Sequence, residues 1–258
     1  MHLFFEWAIH NNPPVDIEKY PKIKEHLDKY SNKLKTRSDK GKTLYNLRNC
    51  AYLDDFKEEK IMWLELTDNP KFMLDKSQKL LEMTVFFMVG KHLNYLLSLL
   101  NSKVVFWYFD LICNESGVGT NRWKKTYVEQ LPIPIISSDK EMFFIEKSEL
   151  MMTLNKTHQT KKQMFLKRIT DNFELEKLSK KLETFYKYDF KTFVAELKKK
   201  KVNLSLVQQD EWEEYFESYQ KELLELQSQI DTTDKEIDVM VYELYGLSED
   251  EIAVVEGR

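Results

Sequence analysis

The chain has 258 residues, 42% hydrophobic and 32% charged, with a net charge of −4. That is enough for one large or two small globular domains with a real core. Aromatics are plentiful, but there are only six Gly and six Pro, which argues against a loop-rich or all-β protein and for many helices. Cys50 and Cys113 are far apart and in no CxxC pattern, which excludes a disulfide framework or structural zinc site and points to a reducing cytoplasm. No apolar run approaches the roughly 20 residues that span a bilayer. The start, MHLFFEWAIH, lacks a basic n-region and a cleavage site, so no signal peptide is expected.

In chain order, Asn11-Asn12-Pro13-Pro14 breaks any helix at the entry. Residues 20–36 predict one amphipathic helix, with Ile23, Leu27, Tyr30 and Leu34 on one face and Pro21 in its first turn. Arg37 to Lys42 reads as a basic loop. Ile61–Leu66 and Thr84–Val89 read as strands, rich in β-branched and aromatic residues. His92–Leu100 and Val104–Ile112 read as two apolar helices. Asn114–Asn121 is a flexible loop, followed by the basic-aromatic stretch RWKKTY. Leu131–Ile136 is extended because a proline disfavours helix for the residue before it.

Beyond Ser137 there is no Pro, and helical periodicity dominates. Trp212, Tyr215, Phe216, Tyr219, Leu223, Leu226 and Ile230 recur at spacings of three and four, as in a long helix or coiled-coil arm. Gly246 is placed to close the helix that holds Val241, Leu244 and Tyr245, and Ser248 with Glu251 forms a capping box for a last helix. The expected fold class is mixed α/β: a front domain over 1–136, then an all-helical region over 137–258.

Charge is unevenly distributed. From Lys19 to Arg48 there are ten Lys/Arg against three acids, whereas the segment from Asp210 onward is strongly acidic. A locally basic surface binds phosphates even on an acidic chain. Lys33, Lys35, Arg37, Lys40 and Lys42 cluster on a helix end and loop, with Tyr45, Asn46 and Arg48 just beyond. Lysines give salt-sensitive phosphate affinity, while Arg and Asn are the side chains that read guanine and adenine edges. Arg122, Trp123, Lys124 and Lys125 repeat the combination. The competing reading is a solvated lysine face.

Signals for chemistry are weaker. Asn12-Pro13-Pro14-Val15 nearly matches the NPPY motif of amino-methyltransferases but lacks the aromatic that stacks on a flipped base. Asp54, Asp55, Glu58, Glu59 and Lys60 could supply a divalent-metal nuclease, or simply form an exposed turn. The five histidines lack metal-ligand spacing, and Gly117-Val118-Gly119 lacks the rest of a phosphate loop. No catalytic residue, metal ligand or cofactor is assigned to this chain.

Five blocks then match a known pattern in order. Tyr20-Pro21 through Leu34 and Arg37 resembles "YPxIxxHLxxYxxxLxxR". Tyr45-Asn46-Leu47-Arg48-Asn49-Cys50, then Phe56 and Lys60-Ile61, resembles "WYxLRxC … F … KI". Tyr95 through Ser102 resembles "YLLALLNS", and Tyr127 through Pro134 resembles "YVExLPIP". Ile237-Asp238 through Val255-Glu256 resembles "ID … VYxLYGLTxEEIxxVE". Together they resemble the TaqI-like C-terminal specificity domain of type IIG restriction–modification enzymes, related to type I specificity subunits. The resemblance implies sequence-specific binding of double-stranded DNA and a helical spacer arm. The partner it implies is an adenine-specific methyltransferase and restriction endonuclease carried elsewhere, where S-adenosylmethionine and Mg2+ would be used. A second reading is a protein-interaction module whose helical region docks a methyltransferase or forms a homodimer.

Overall fold

The structure, a computed structural model, describes residues 15–48, 52–81, 84–113 and 120–257. Five strands occur among them: β1 (Lys60–Leu64), β2 (Leu66–Thr67), β3 (Met73–Asp75), β4 (Val85–Val89) and β5 (Asn121–Arg122). The helices of the front part are α1 (Pro21–Asp28), α2 (Ser31–Thr36), α3 (Leu93–Leu100), α4 (Lys103–Ile112) and α5 (Lys125–Val128). Those of the back are α6 (Ser138–Phe173), α7 (Lys180–Glu183), α8 (Phe190–Lys199), α9 (Leu206–Tyr245) and α10 (Glu249–Val255). The fold is mixed, with small antiparallel sheets followed by long helices. The described residues divide into two compact units, one drawn from residues up to Leu64 with Met73–Leu93, the other from Glu65–Phe72 with Asn94 onward.

In the first unit, the single helix expected over 20–36 is two helices, α1 and α2. Tyr30 leaves helical backbone at φ −110° and ψ 14°, and its amide bonds back to the Leu27 carbonyl at 2.9 Å. The reason is lack of cover: Ile23 and Tyr30 are 40% and 47% exposed, and an apolar stripe without a packed partner cannot hold a long helix together. The sheet has order β3-β1-β4, all antiparallel. The expected strand at 84–89 is present as β4; the one at 61–66 is divided, its first part forming β1 and Leu66 belonging to β2 of the other sheet, while β3 is an addition. Trp63 lies opposite Phe86 in register, and their rings stack at 5.7 Å.

Lys60 opens β1 fully buried. Its ammonium meets the Asp75 carboxylate on β3 at 2.8 Å and donates to the Phe56 and Glu58 carbonyl oxygens. Lys60 and Asp75 are also register partners, so the ion pair fixes the strand alignment. A one-residue slip would leave two charges buried and unmatched.

The second unit has a head and an arm. In the head, β2 pairs with β5, Leu66 opposite Arg122 and Thr67 opposite Asn121. Trp123 follows directly, buried, with its ring stacked on Phe109 of α4 at 3.7 Å and Phe72 edge-on at 5.3 Å. Asn101 holds the Phe72 backbone from both sides, accepting from its amide and donating to its carbonyl, each at 3.1 Å. Ser102 N-caps α4.

In the arm, α6 and α9 pack along each other. Lys147 pairs with Glu236, Lys161 with Glu222, and the Phe173 ring meets Trp212 at 4.9 Å. Partner numbers fall as α6 numbers rise, so the helices run antiparallel. At 1.5 Å per residue the 36 residues of α6 extend about 54 Å. At the far end Phe165 stacks on Phe185 at 3.7 Å and faces Tyr215, Phe216 and Tyr219. The buried side chains of α7, α8 and their connecting turn complete this aromatic core. The expected stripe on α9 is therefore its seam with α6. Gly246 closes α9 in the left-handed region at φ 67°, and Ser248 with Glu251 caps α10 reciprocally. No described helix is long and apolar enough to cross a membrane.

The buried pair in the first unit carries a pH signature. Burial alone would raise the Asp75 carboxyl, but Lys60 and Ser77 outweigh it and hold it at about 2, below the ordinary 3.8. A carboxyl depressed in the folded state adds stability above its unfolded value and loses it as pH falls through the folded value. The pair's contribution, on the order of 2 kcal/mol, is present above about pH 4 and lost towards pH 2. Urea unfolding at neutral pH is expected to show Asp75→Ala weaker by roughly 3–5 kcal/mol, because it strands the Lys60 charge. The difference between the variant and the parent should shrink through that acid window.

Candidate nucleic-acid interface

The basic segment of the first unit is a closed loop. Lys40 and Leu47 form an antiparallel bridge, the Gly41 amide donates to the Asn46 carbonyl at 2.7 Å, and the Arg48 amide donates to the Asp39 carbonyl at 2.7 Å. Arg37 donates from Nη2 to that same Asn46 carbonyl oxygen and lies 3.7 Å from the Asp39 carboxylate. Asn46 is 3% exposed, and its Oδ1 accepts from the Thr43 hydroxyl. The Tyr45 hydroxyl donates to Asp28 at 2.6 Å, tying the loop to α1. Lys40 donates to the Lys35 carbonyl at 3.1 Å, a cation at the C-terminal end of α2 where orphan carbonyls favour it.

These bonds separate the candidate residues into two groups. Arg37 and Asn46, expected to read bases, and Tyr45, expected to contact DNA, are half-buried or buried and form the frame of the loop. Lys33, Lys35, Lys42 and Arg48 are exposed, and none has a carboxylate partner among the described residues. Lys40 is exposed but leans on α2. A frame of this kind fixes where the free cations sit before any ligand arrives, which lowers the ordering cost of binding.

The second segment is arranged differently. Arg122 projects from β5 with its guanidinium 4.0 Å from Glu65. Lys124 and Lys125 begin α5, and Lys125 pairs with Glu129 at 3.4 Å. All three side chains are exposed. Trp123, grouped with them by sequence, is part of the head's core, because the strand alternates direction and sends it inward. The structure places this segment in the second unit and the 33–48 loop in the first.

The weaker signals fare as follows. Asp54 pairs with Lys57 and Glu59 with Lys76, while Lys60 is committed to Asp75. No group of three or more His, Cys, Asp or Glu is placed to hold a metal among the described residues. Asn12, Pro13, Pro14, Asn49, Cys50 and Gly117–Gly119 lie outside the described residues. One basic region escaped the sequence reading. Residues 156–201 hold fourteen Lys/Arg against six acids, and the fold gathers them at the far half of the arm. The run Lys198–Lys201 was the visible signal, masked by the acids that follow from Asp210.

The geometry defines a class: a mixed α/β module with two exposed basic segments and a long helical arm. Residues 15–133, just under half of the chain, match the TaqI-like C-terminal specificity domain, the family that the sequence blocks resemble. Residues 137–241 match a domain of unknown function (DUF8810). None of the curated proteins matches the chain. The first family is a specificity domain, so DNA-sequence recognition in restriction–modification is the class of function it carries.

The frame makes a specific demand at Gly41, where a Cβ would collide with the Leu47 carbonyl. Gly41→Ala is expected to open the Lys40–Leu47 bridge at a cost of roughly 1–3 kcal/mol. Hydrogen exchange of the Gly41 and Arg48 amides should speed up by tenfold or more, with the β1–β4 amides unchanged.

Proposed function

We propose that this chain is the specificity module of a type IIG-like restriction–modification system. It binds double-stranded DNA, reads the target sequence and positions an adenine for a methyltransferase and endonuclease carried elsewhere. S-adenosylmethionine and Mg2+ serve those catalytic domains in this reading, and the chain itself performs no chemistry. The observation that carries it is the specificity-domain match over 15–133, which contains both exposed basic segments. Lys33, Lys35, Lys40 and Lys42 supply phosphate contacts from the first unit, and Lys124 and Lys125 from the second. Arg48 and Arg122 are exposed and long enough to read base edges. Arg37, Tyr45 and Asn46 serve the interface by holding the loop that presents its neighbours.

The region from 137 onward acts in this proposal as spacer and docking surface for the methyltransferase partner. Exposed Leu206 and Val207 at the start of α9, 80% and 67% accessible, favour a protein contact there.

The triple variant Lys35→Glu, Lys40→Glu, Lys42→Glu is expected to weaken duplex binding by about 100-fold at moderate salt. It should also flatten the dependence of log K on log salt by about 3. Fluorescence anisotropy with a labelled duplex measures both. An unchanged affinity contradicts the placement of the interface on this loop.

A further inference from the structure

We propose that the outer end of the helical arm is a second seat for the DNA backbone, independent of sequence and separate from the base-reading loops. Lys180, Lys187, Lys191, Lys198, Lys200 and Lys201 stand exposed on α7, α8 and their flanking turns. None of the six has a carboxylate within ion-pair distance among the described residues. Lys199 is the exception in its run, paired with Glu196 at 2.6 Å.

The positive field reaches the underlying helix. His158 of α6 is buried, with its ring edge-on to Tyr186 at 5.2 Å. Its Nε2 is buried without a hydrogen-bond partner. Burial lowers its basicity first, and the charges that add to this are Lys162, one helical turn along α6, and Lys187 beside Tyr186. Both are cations. The loop bearing Tyr186 and Lys187 is also held in place, since the Gln220 amide donates to the Tyr186 and Tyr188 carbonyls. These lysines therefore stand on a fixed scaffold.

Charge complementarity points to a phosphate polymer. The cations are lysines, point charges that neutralise phosphates without reading planar groups. The acids on the first turns of α9, Asp210, Glu211, Glu213, Glu214 and Glu217, are exposed on a different helix and disfavour a phosphate polymer there, which leaves the α7–α8 lysines as its contact. Along α9, Gln220, which holds the Lys187 turn, lies about 27 Å from Asp238 at the α4 root, and Leu206, which follows the Lys198–Lys201 run, about 48 Å. At 3.4 Å per base pair these distances are about 8 and 14 base pairs. A duplex long enough to bridge them gains contacts that a short one cannot make.

The test uses the full chain with labelled duplexes of about 12 and about 40 base pairs, at low and physiological salt. The variant is Lys198→Gln, Lys200→Gln, Lys201→Gln, the run farthest from the α4 root, with the Glu series alongside. These side chains are exposed, so unchanged circular dichroism and thermal unfolding are expected. On the long duplex the Gln variant should bind about tenfold more weakly, with a salt slope shallower by 2 to 3, roughly one unit per lysine. On the short duplex it should bind like the parent. Equal affinity on the long duplex, or an equal loss on both lengths, overturns the proposal. Capture of polyglutamate that these lysines govern, in place of DNA, also overturns it and reassigns the surface to an acidic protein. The variant at Lys35, Lys40 and Lys42 separates the two readings: loss on both lengths there, with none from the arm variant, leaves the specificity role standing and removes this one.

Discussion

One buried carboxylate ties the second unit together. Asp238, late in α9 and 4% exposed, accepts the backbone amide of Lys103 at 3.0 Å and lies 3.3 Å from its ammonium. It thereby reaches from one helix to the open N-terminus of another, where the macrodipole of α4 favours negative charge. Burial outweighs Lys103 and holds this carboxyl above its ordinary range. Around it the same joint is fastened again. The Tyr242 hydroxyl donates to Glu256, Tyr245 donates to the Pro132 carbonyl, and Tyr95 donates to the Pro134 carbonyl. Burial pushes the Tyr95 and Tyr245 hydroxyls up to about 12, so both remain donors at physiological pH. Within the second unit this joint fixes the root of the arm on the α9 side, and on the α6 side Phe144 meets the Tyr95 ring at 5.1 Å and Ser148 donates to Asn94 at 3.3 Å.

The joint also explains why the last three of the five short motifs occur together along the chain. Asn101 and Ser102 hold the Phe72 backbone and cap α4. The Leu131–Pro134 segment has no regular structure of its own and offers its carbonyls to tyrosines from α3 and α9. Asp238 and Tyr245 come from the last block. These residues are distant in sequence and bonded in space, so each motif is meaningful through the others. They build the frame. The exposed cations proposed to meet DNA are not part of this joint: they stand on the 33–48 loop and on β5, where changes of a solvated side chain cost folding little.

Much of this was legible in the sequence, for reasons that differ by element. The stripe from Trp212 to Ile230 announced α9 because a helix of 40 residues repeats its pattern many times. Gly246 and Ser248 announced their caps because cap chemistry is local. The break at Tyr30 was illegible, because helix 20–36 depended on cover that the fold does not supply. The pair of Lys60 with Asp75 was illegible because strand register brings together residues fifteen apart. At the candidate interface the basic loop was visible as composition, but its internal order was not. Arg37 and Asn46 carry the chemistry of base readers and are used instead on the Gly41–Asn46 turn. The basic arm end was hidden by averaging, since the acids of α9 follow it in sequence yet occupy a different helix.

The central claim is that this chain recognises a particular DNA sequence. Incubating it with a pool of random duplexes, recovering the bound fraction and sequencing it over successive rounds addresses that claim directly. Recognition predicts convergence on one short motif containing adenine, bound about 1,000-fold or more tightly than the starting pool, as for specific over non-specific sites generally. Recovery of the pool without any enriched motif would contradict it.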